Sequence, residues 1–205
     1  MRILIENGRL LDPSRELDVQ ESLWIEDGII CEKQAFSANQ ADRVIDAAGG
    51  WVVPGLIDLH VHFRDPGLTY KEDIQTGSAA AKKGGYTTVV TMANTKPVID
   101  NMAVLRAVQK RVEEDGVVKV SIIGSVSKGL EGEQLSEMGD LSAAGAVAFS
   151  DDGHYVENAN FMRRAMEYAG QLGKMIIDHA EDMTMCSDGF MNEGIISYQM
   201  GVAGR

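Results

Sequence analysis

Residues 56–64, Leu56-Ile57-Asp58-Leu59-His60-Val61-His62-Phe63-Arg64, alternate between two kinds of side chain. Successive side chains of a strand point to opposite faces, so Ile57, Leu59, Val61 and Phe63 share one face, while Leu56, Asp58, His60, His62 and Arg64 share the other. This pattern predicts a strand over 56–62 whose odd face packs on helices. Its even face carries two imidazoles about 7 Å apart, given a rise of about 3.3 Å per residue. With a little strand twist both reach one divalent cation from the same side.

Working toward the C-terminus, strand and helix signals alternate. Thr69-Tyr70-Lys71-Glu72 has capping-box spacing and is expected to open a helix through Ala79–Ala81, closed by Gly84-Gly85. Thr87–Met92 reads as a second strand, β-branched and apolar enough to be buried on both faces. Asp100 or Asn101 caps a helix with Val104, Leu105, Val108 and Val112 on one face. Val118–Gly124, Ala146–Phe149 and Met175–His179 read as the third, fourth and fifth strands. Before the fifth, Asn158 or Asn160 caps a helix running through Met162, Ala165, Met166 and Ala169 to Gly173. Such alternation predicts right-handed βαβ units and a parallel sheet, an α/β fold. A closed (β/α)8 barrel takes about 250 residues, so about five units in about 150 residues form an open sheet or belong to a longer polypeptide.

Toward the N-terminus the rhythm differs. Residues 1–53 read as short strands and turns, punctuated at the end by Pro54-Gly55. Arg2–Ile5 precedes the tight-turn dipeptide Asn7-Gly8, and Glu26-Asp27-Gly28 joins two further strands as a hairpin. Arg43–Asp46 and Trp51–Val53 flank Gly49-Gly50. A small β-module over 1–53, followed by an α/β unit over 54–205, is the expected domain organisation.

Composition excludes several classes. Nineteen Lys+Arg against 31 Asp+Glu give a net charge of −12, the wrong sign for a nucleic-acid binder. Apolar residues at 44% and charged ones at 24% place the chain among ordinary globular proteins. No apolar run approaches the 18 or so residues needed to cross a bilayer, so no membrane is expected. Glu6-Asn7-Gly8 comes too early for a secretory signal. Two cysteines, Cys31 and Cys186, imply no disulfide framework and fit a cytoplasmic protein.

The chemistry gathers at strand ends. The chain has four histidines: His60, His62, His154 and His179. His60 and His62 end the first strand, Asp151-Asp152 follow the fourth, and His179 ends the fifth. The ends of parallel strands are where α/β folds place their sites. Any one of these residues has an ordinary explanation, a surface imidazole or a turn. Their arrival from three strand ends points instead to a metal centre, and imidazole with carboxylate suits zinc. His154 reads as solvent-facing, and Lys82-Lys83 as complementing a helix dipole. Asp58 either orients a ligand imidazole or fills a hydrogen-bonded floor.

The run Asp58-Leu59-His60-Val61-His62-Phe63-Arg64-Asp65-Pro66-Gly67 resembles the first-strand motif of the amidohydrolase superfamily. Tyr70-Lys71-Glu72-Asp73, Gly84–Val89, Met92-Ala93-Asn94-Thr95-Lys96-Pro97 and Phe149-Ser150-Asp151-Asp152-Gly153 resemble the dihydroorotase family in particular. The likeness runs through essentially the whole chain. It implies a partial (β/α)8 TIM barrel over 54–205, preceded by the N-terminal part of a small β-sandwich over 1–53. The implied activity is interconversion of N-carbamoyl-L-aspartate and L-dihydroorotate in pyrimidine biosynthesis. The implied cofactor is one or two zinc ions per subunit, with His60, His62, Asp152 and His179 as ligands and Asp151 as the alternative to Asp152. Arg64 and Asn94 match the residues that grip the substrate's carboxylate.

The resemblance also implies a further ligand histidine and a proton-shuttling aspartate beyond Arg205, so no catalytic acid or base is assigned within the chain. These 205 residues are accordingly expected to be inactive alone. A homodimer and a complex with aspartate transcarbamoylase are the partners the family offers. Two other readings stay open: a non-catalytic scaffold for that transcarbamoylase, and another cyclic amidohydrolase such as an allantoinase or dihydropyrimidinase.

Overall fold

The computed structural model describes residues 1–182 and 189–204. Cys186 lies outside them. The chain forms two compact units, Met1–Gly55 and Leu56–Arg205.

The first unit holds β1 (Arg2–Glu6), β2 (Arg9–Asp12), β3 (Leu17–Gln20), β4 (Leu23–Glu26), β5 (Ile29–Ile30), β6 (Arg43–Asp46) and β7 (Trp51–Val52). They make two sheets, ordered β5-β4-β1-β6 and β3-β2-β7. The β4–β5 hairpin turns at Asp27 and Gly28, both at positive φ, as its tight turn requires. Asn7-Gly8 does something different from closing a hairpin. β1 pairs with β4 and β6 while β2 pairs with β3 and β7, so this turn carries the chain from one sheet to the other. Asn7 Nδ2 donates to Asp46 Oδ1 at 2.9 Å, holding the turn against the end of β6.

The second unit holds β8 (Leu56–Val61), α1 (Ile74–Lys83), β9 (Tyr86–Thr91), α2 (Met102–Asp115), β10 (Lys119–Ile122), α3 (Met138–Ala143), α4 (Ala159–Gln171) and α5 (Ile195–Met200). β8, β9 and β10 pair in parallel in the order β10-β9-β8. β9 is buried on both faces, with Val89 facing one core cluster and Val90 another.

The expected fourth and fifth strands are reduced to bridges. Phe149 pairs in parallel with Gly124 on one side and Ile176 on the other. Gly124 N–H donates to the Ala148 carbonyl at 3.1 Å and Ile177 N–H to that of Phe149 at 2.9 Å. The order of segments across the sheet is therefore kept, but pairing is confined to the few residues beside the site.

The first helix begins later than the capping-box spacing predicted. Residues 68–71 form turns, with Leu68 N–H on Arg64 O and Lys71 N–H on Leu68 O, so Thr69 caps nothing. Asp73 is the cap, accepting from Thr76 N–H at 2.7 Å. Asn101 caps α2 and Asn158 caps α4. In α4 the buried side chains are Ala165 and Ala169, while Met166 is exposed. Two alanines four residues apart give a smooth stripe on which the helix packs closely.

The odd face of β8 divides. Phe63 is buried and Val61 partly so, against α1, where Gly77 has no side chain to obstruct the ring: a Cβ there would lie 2.5 Å from Phe63. Ile57 and Leu59 are exposed instead of helix-packed, because no element among the described residues covers that part of the face. The main core lies between the sheet and α1–α4, around Ile74, Val89, Leu105, Ile122, Leu141 and Phe149. No helix among the described residues is long and apolar enough to cross a membrane.

Candidate metal centre

His60 and His62 sit at the C-terminal end of β8 with their Nε2 atoms 3.2 Å apart. Asp152, following the Phe149 bridge, brings Oδ1 to 3.3 Å from His60 Nε2 and 3.2 Å from His62 Nε2. Three ligand atoms thus form a nearly equilateral triangle. Three corners of a tetrahedron around zinc, at bonds of about 2.0–2.1 Å, lie about 3.3 Å apart. Octahedral neighbours at the same bond length would lie nearer about 2.9 Å. The donor set and its spacing fit a small metal cation. Asp152 is 6% exposed while the two ring side chains are 42% and 32% exposed, so the carboxylate forms the floor and the rings the rim.

The second oxygen of Asp152 faces a different ring. His179 Nδ1 lies 3.0 Å from Asp152 Oδ2, and its Nε2 lies 3.1 Å from Glu181 Oε2. Burial works against charge on this ring, but the bonds to Glu181 and Asp152 outweigh it and raise its pKa above the ordinary imidazole value. One carboxylate therefore stands between the His60/His62 pair and His179, with an oxygen toward each.

Asp151 points elsewhere. Its Oδ1 accepts from Val126 N–H at 2.8 Å and Ser127 N–H at 3.0 Å, and its Oδ2 accepts from the Ser127 hydroxyl. Burial raises its pKa, against the lowering effect of these bonds. Of the two adjacent aspartates, one faces the histidines and the other fastens the loop after β10.

Asn94 touches the centre directly. His62 Nδ1 lies 3.1 Å from Asn94 Oδ1, which leaves Nε2 aimed at the other ligand atoms. Gly153, at φ +89°, makes room for it: a Cβ there would meet Asn94 Nδ2 at 3.0 Å. Arg64 is half-buried at φ +56°, and no ion pair of its guanidinium is found among the described residues. Asp58 accepts from the backbone N–H of His60 at 3.0 Å and not from a ring, so it braces the strand. His154 is exposed.

Glu181 escaped the reading of the sequence. Its only signal was its position two residues after His179, in a loop with no periodicity. Asp65 and Arg111 form another unforeseen pair, a buried carboxylate with Arg111 Nε 2.9 Å from Oδ2, on the residue next to Arg64.

Strand-end histidines with a buried aspartate from a neighbouring parallel segment define an α/β protein with a histidine–carboxylate cluster of the kind that can hold a metal ion. The sequence profile of the dihydro-orotase-like family matches residues 49–204, and the chain belongs to that family. It is 49% identical over its whole length to the dihydroorotases of Pelobacter propionicus and Geobacter sulfurreducens, covering 48% of each. The chain spans about half the length of the curated relatives it matches. Among solved structures it resembles the L-hydantoinase of Arthrobacter aurescens, with TM-score 0.77, 24% identity, and coverage of 89% of this chain and 41% of that one. A D-hydantoinase gives TM-score 0.72 at 23% identity, covering 94% of this chain and 44% of that one. At such identities the likeness bears on the fold, a mixed α/β architecture.

Proposed function

We propose that this chain carries the His-x-His half of a dihydroorotase centre, serving interconversion of N-carbamoyl-L-aspartate and L-dihydroorotate. The observation that carries this reading is the triangle of His60 Nε2, His62 Nε2 and Asp152 Oδ1, with edges of 3.2–3.3 Å. Whole-length identity to dihydroorotases supports the substrate class. His60, His62 and Asp152 would hold one zinc, and Asp152 with His179 would contribute to a second. When bound, such a cation polarises a carbonyl and makes water acidic enough to attack it near neutral pH.

The chain's own residues do the rest of the work assigned to them. Asn94 keeps the proton of His62 on Nδ1, so Nε2 presents its lone pair. Its amide nitrogen remains as a neutral donor to the substrate's carboxylate. Arg64 forks onto the same carboxylate through two parallel N–H bonds. The partly exposed rings leave the rim open to a small anion, above the buried Asp152 carboxylate. The proton-transfer step is assigned to no residue of this chain.

In architecture, we read residues 54–205 as about five βα units of a (β/α)8 barrel and residues 1–53 as part of a β-sandwich. A cytoplasmic location, a homodimer and association with aspartate transcarbamoylase complete the proposal by family likeness. Metal content by elemental analysis and conversion of dihydroorotate, followed chromatographically, test it on this chain and on one extended to the length of its relatives. Zinc in both, with ring opening in the extended chain, is the expected result. Absence of metal from both favours the scaffold reading. Opening of hydantoin or allantoin without dihydroorotate overturns the substrate.

A further inference from the structure

We propose that Glu181 is a positioning residue that decides which nitrogen His179 offers to the metal centre. The inference rests on the metal-centre reading above. A neutral imidazole carries one proton, and the nitrogen that donates it cannot also bind a cation. His179 has a carboxylate at each nitrogen: Asp152 Oδ2 is 3.0 Å from Nδ1 and Glu181 Oε2 is 3.1 Å from Nε2. The two carboxylates are not equivalent. Asp152 turns its other oxygen to His60 and His62, so it belongs to the centre. Glu181 lies at the nitrogen on the far side of the ring.

A proton held on Nε2 by Glu181 leaves the lone pair of Nδ1 directed at Asp152 Oδ2, toward the second cation position. Local backbone fixes this arrangement. Glu181 N–H donates to the His179 carbonyl at 2.9 Å, a turn that folds the glutamate back over its own neighbour's ring. The Glu181 side chain is 20% exposed, so competition from water at that bond is limited. His62 uses the same device in mirror form. Asn94 occupies its Nδ1, and its Nε2 faces inward. Two histidines of one centre thus present opposite nitrogens, each selected by an oxygen acceptor behind the ring. Outer partners of metal-bound histidines act this way, and their loss commonly costs about 10–100-fold in metal affinity.

The test is a zinc titration of the chain, with the ring nitrogens followed by long-range 1H–15N NMR and affinity measured by chelator competition. Wild type is expected to coordinate through Nδ1 of His179 with the proton on Nε2. E181A is expected to weaken zinc at His179 about 10–100-fold and to mix the two tautomers. E181Q keeps an oxygen acceptor and is expected to remain within a few-fold of wild type. E181D keeps the charge but withdraws it from Nε2, and is expected to weaken zinc as E181A does, so a fold lost in one variant still leaves the other to decide.

Ring signals of His62 should be unchanged throughout, which separates this role from a general structural one. Coordination through Nε2, or undiminished affinity in both E181A and E181D, overturns the proposal while leaving the centre intact. A wild-type chain in which zinc reaches none of His60, His62 and His179 overturns the centre itself and this proposal with it.

Discussion

Asp152 and His62 approach to 3.2 Å, Oδ1 to Nε2, although they come from segments separated by the whole of β9 and β10. Asp151, the next residue along, instead binds Val126 and Ser127. Adjacent carboxylates with different partners should give opposite phenotypes. Asp152→Ala is expected to abolish tight zinc uptake with little change in unfolding midpoint. Asp151→Ala leaves two backbone N–H groups without their acceptor, and should cost about 2–4 kcal/mol of stability. Urea titration and metal analysis of both variants check the contrast; equal loss of zinc in both, with D151A fully folded, contradicts it.

The division between these aspartates could not be read from residue order. The alternation of Asp58, His60 and His62 against Val61 and Phe63 was legible because a strand converts period two into faces. The same logic gave β9 two buried faces. Capping preference narrowed the helix starts to Asp100 or Asn101 and to Asn158 or Asn160, of which Asn101 and Asn158 make the caps. Alternation failed for Ile57 and Leu59, since a face is covered only where another element reaches it. The segments around Phe149 and Ile176 looked like full strands because apolar composition reports burial, whereas a strand also needs a run of paired neighbours. Asp65–Arg111 and His179–Glu181 are pairings between irregular segments or across the sequence, and no period encodes them.

Asp73 gives a pH signature away from the centre. Its carboxylate accepts the Thr76 backbone N–H, which with the Thr76 hydroxyl holds its pKa below 3.8. An acid whose folded pKa is depressed stabilises the fold above its unfolded pKa. That contribution is lost as pH falls from 3.8 through the lower folded value. Asp73→Asn should therefore flatten the fall in stability below pH 3.8, read as urea midpoints along a pH series. Identical pH curves for the two chains would refute the assignment.

Arg111 is expected to matter more than a surface arginine. Its partner Asp65 has a side chain only 1% exposed, and Arg111 Nε is the cation beside it. Arg111→Ala strands a buried carboxylate. Breaking a buried pair costs about 3–5 kcal/mol, and the half-exposed guanidinium lowers this to about 2–3 kcal/mol. Adding Asp65→Asn removes the stranded charge and should recover part of the loss. A double variant no more stable than R111A would show that the two residues are not coupled.

Gly153 links backbone conformation to the centre. At φ +89° an L side chain is strained by about 1–2 kcal/mol, and a Cβ would press on Asn94 Nδ2 from 3.0 Å. Gly173 is the natural control: its φ is +65°, yet nothing lies within 4 Å of a Cβ placed there. Both Gly153→Ala and Gly173→Ala should lose stability, because both force alanine into the left-handed region. Only G153A should also loosen zinc, since displacing Asn94 removes the acceptor that keeps the proton of His62 on Nδ1 and its Nε2 free. Zinc affinities measured on the two variants, at a temperature where each remains folded, isolate that second effect. If G173A weakens zinc as much as G153A, backbone strain alone is responsible and the path through Asn94 to His62 is wrong.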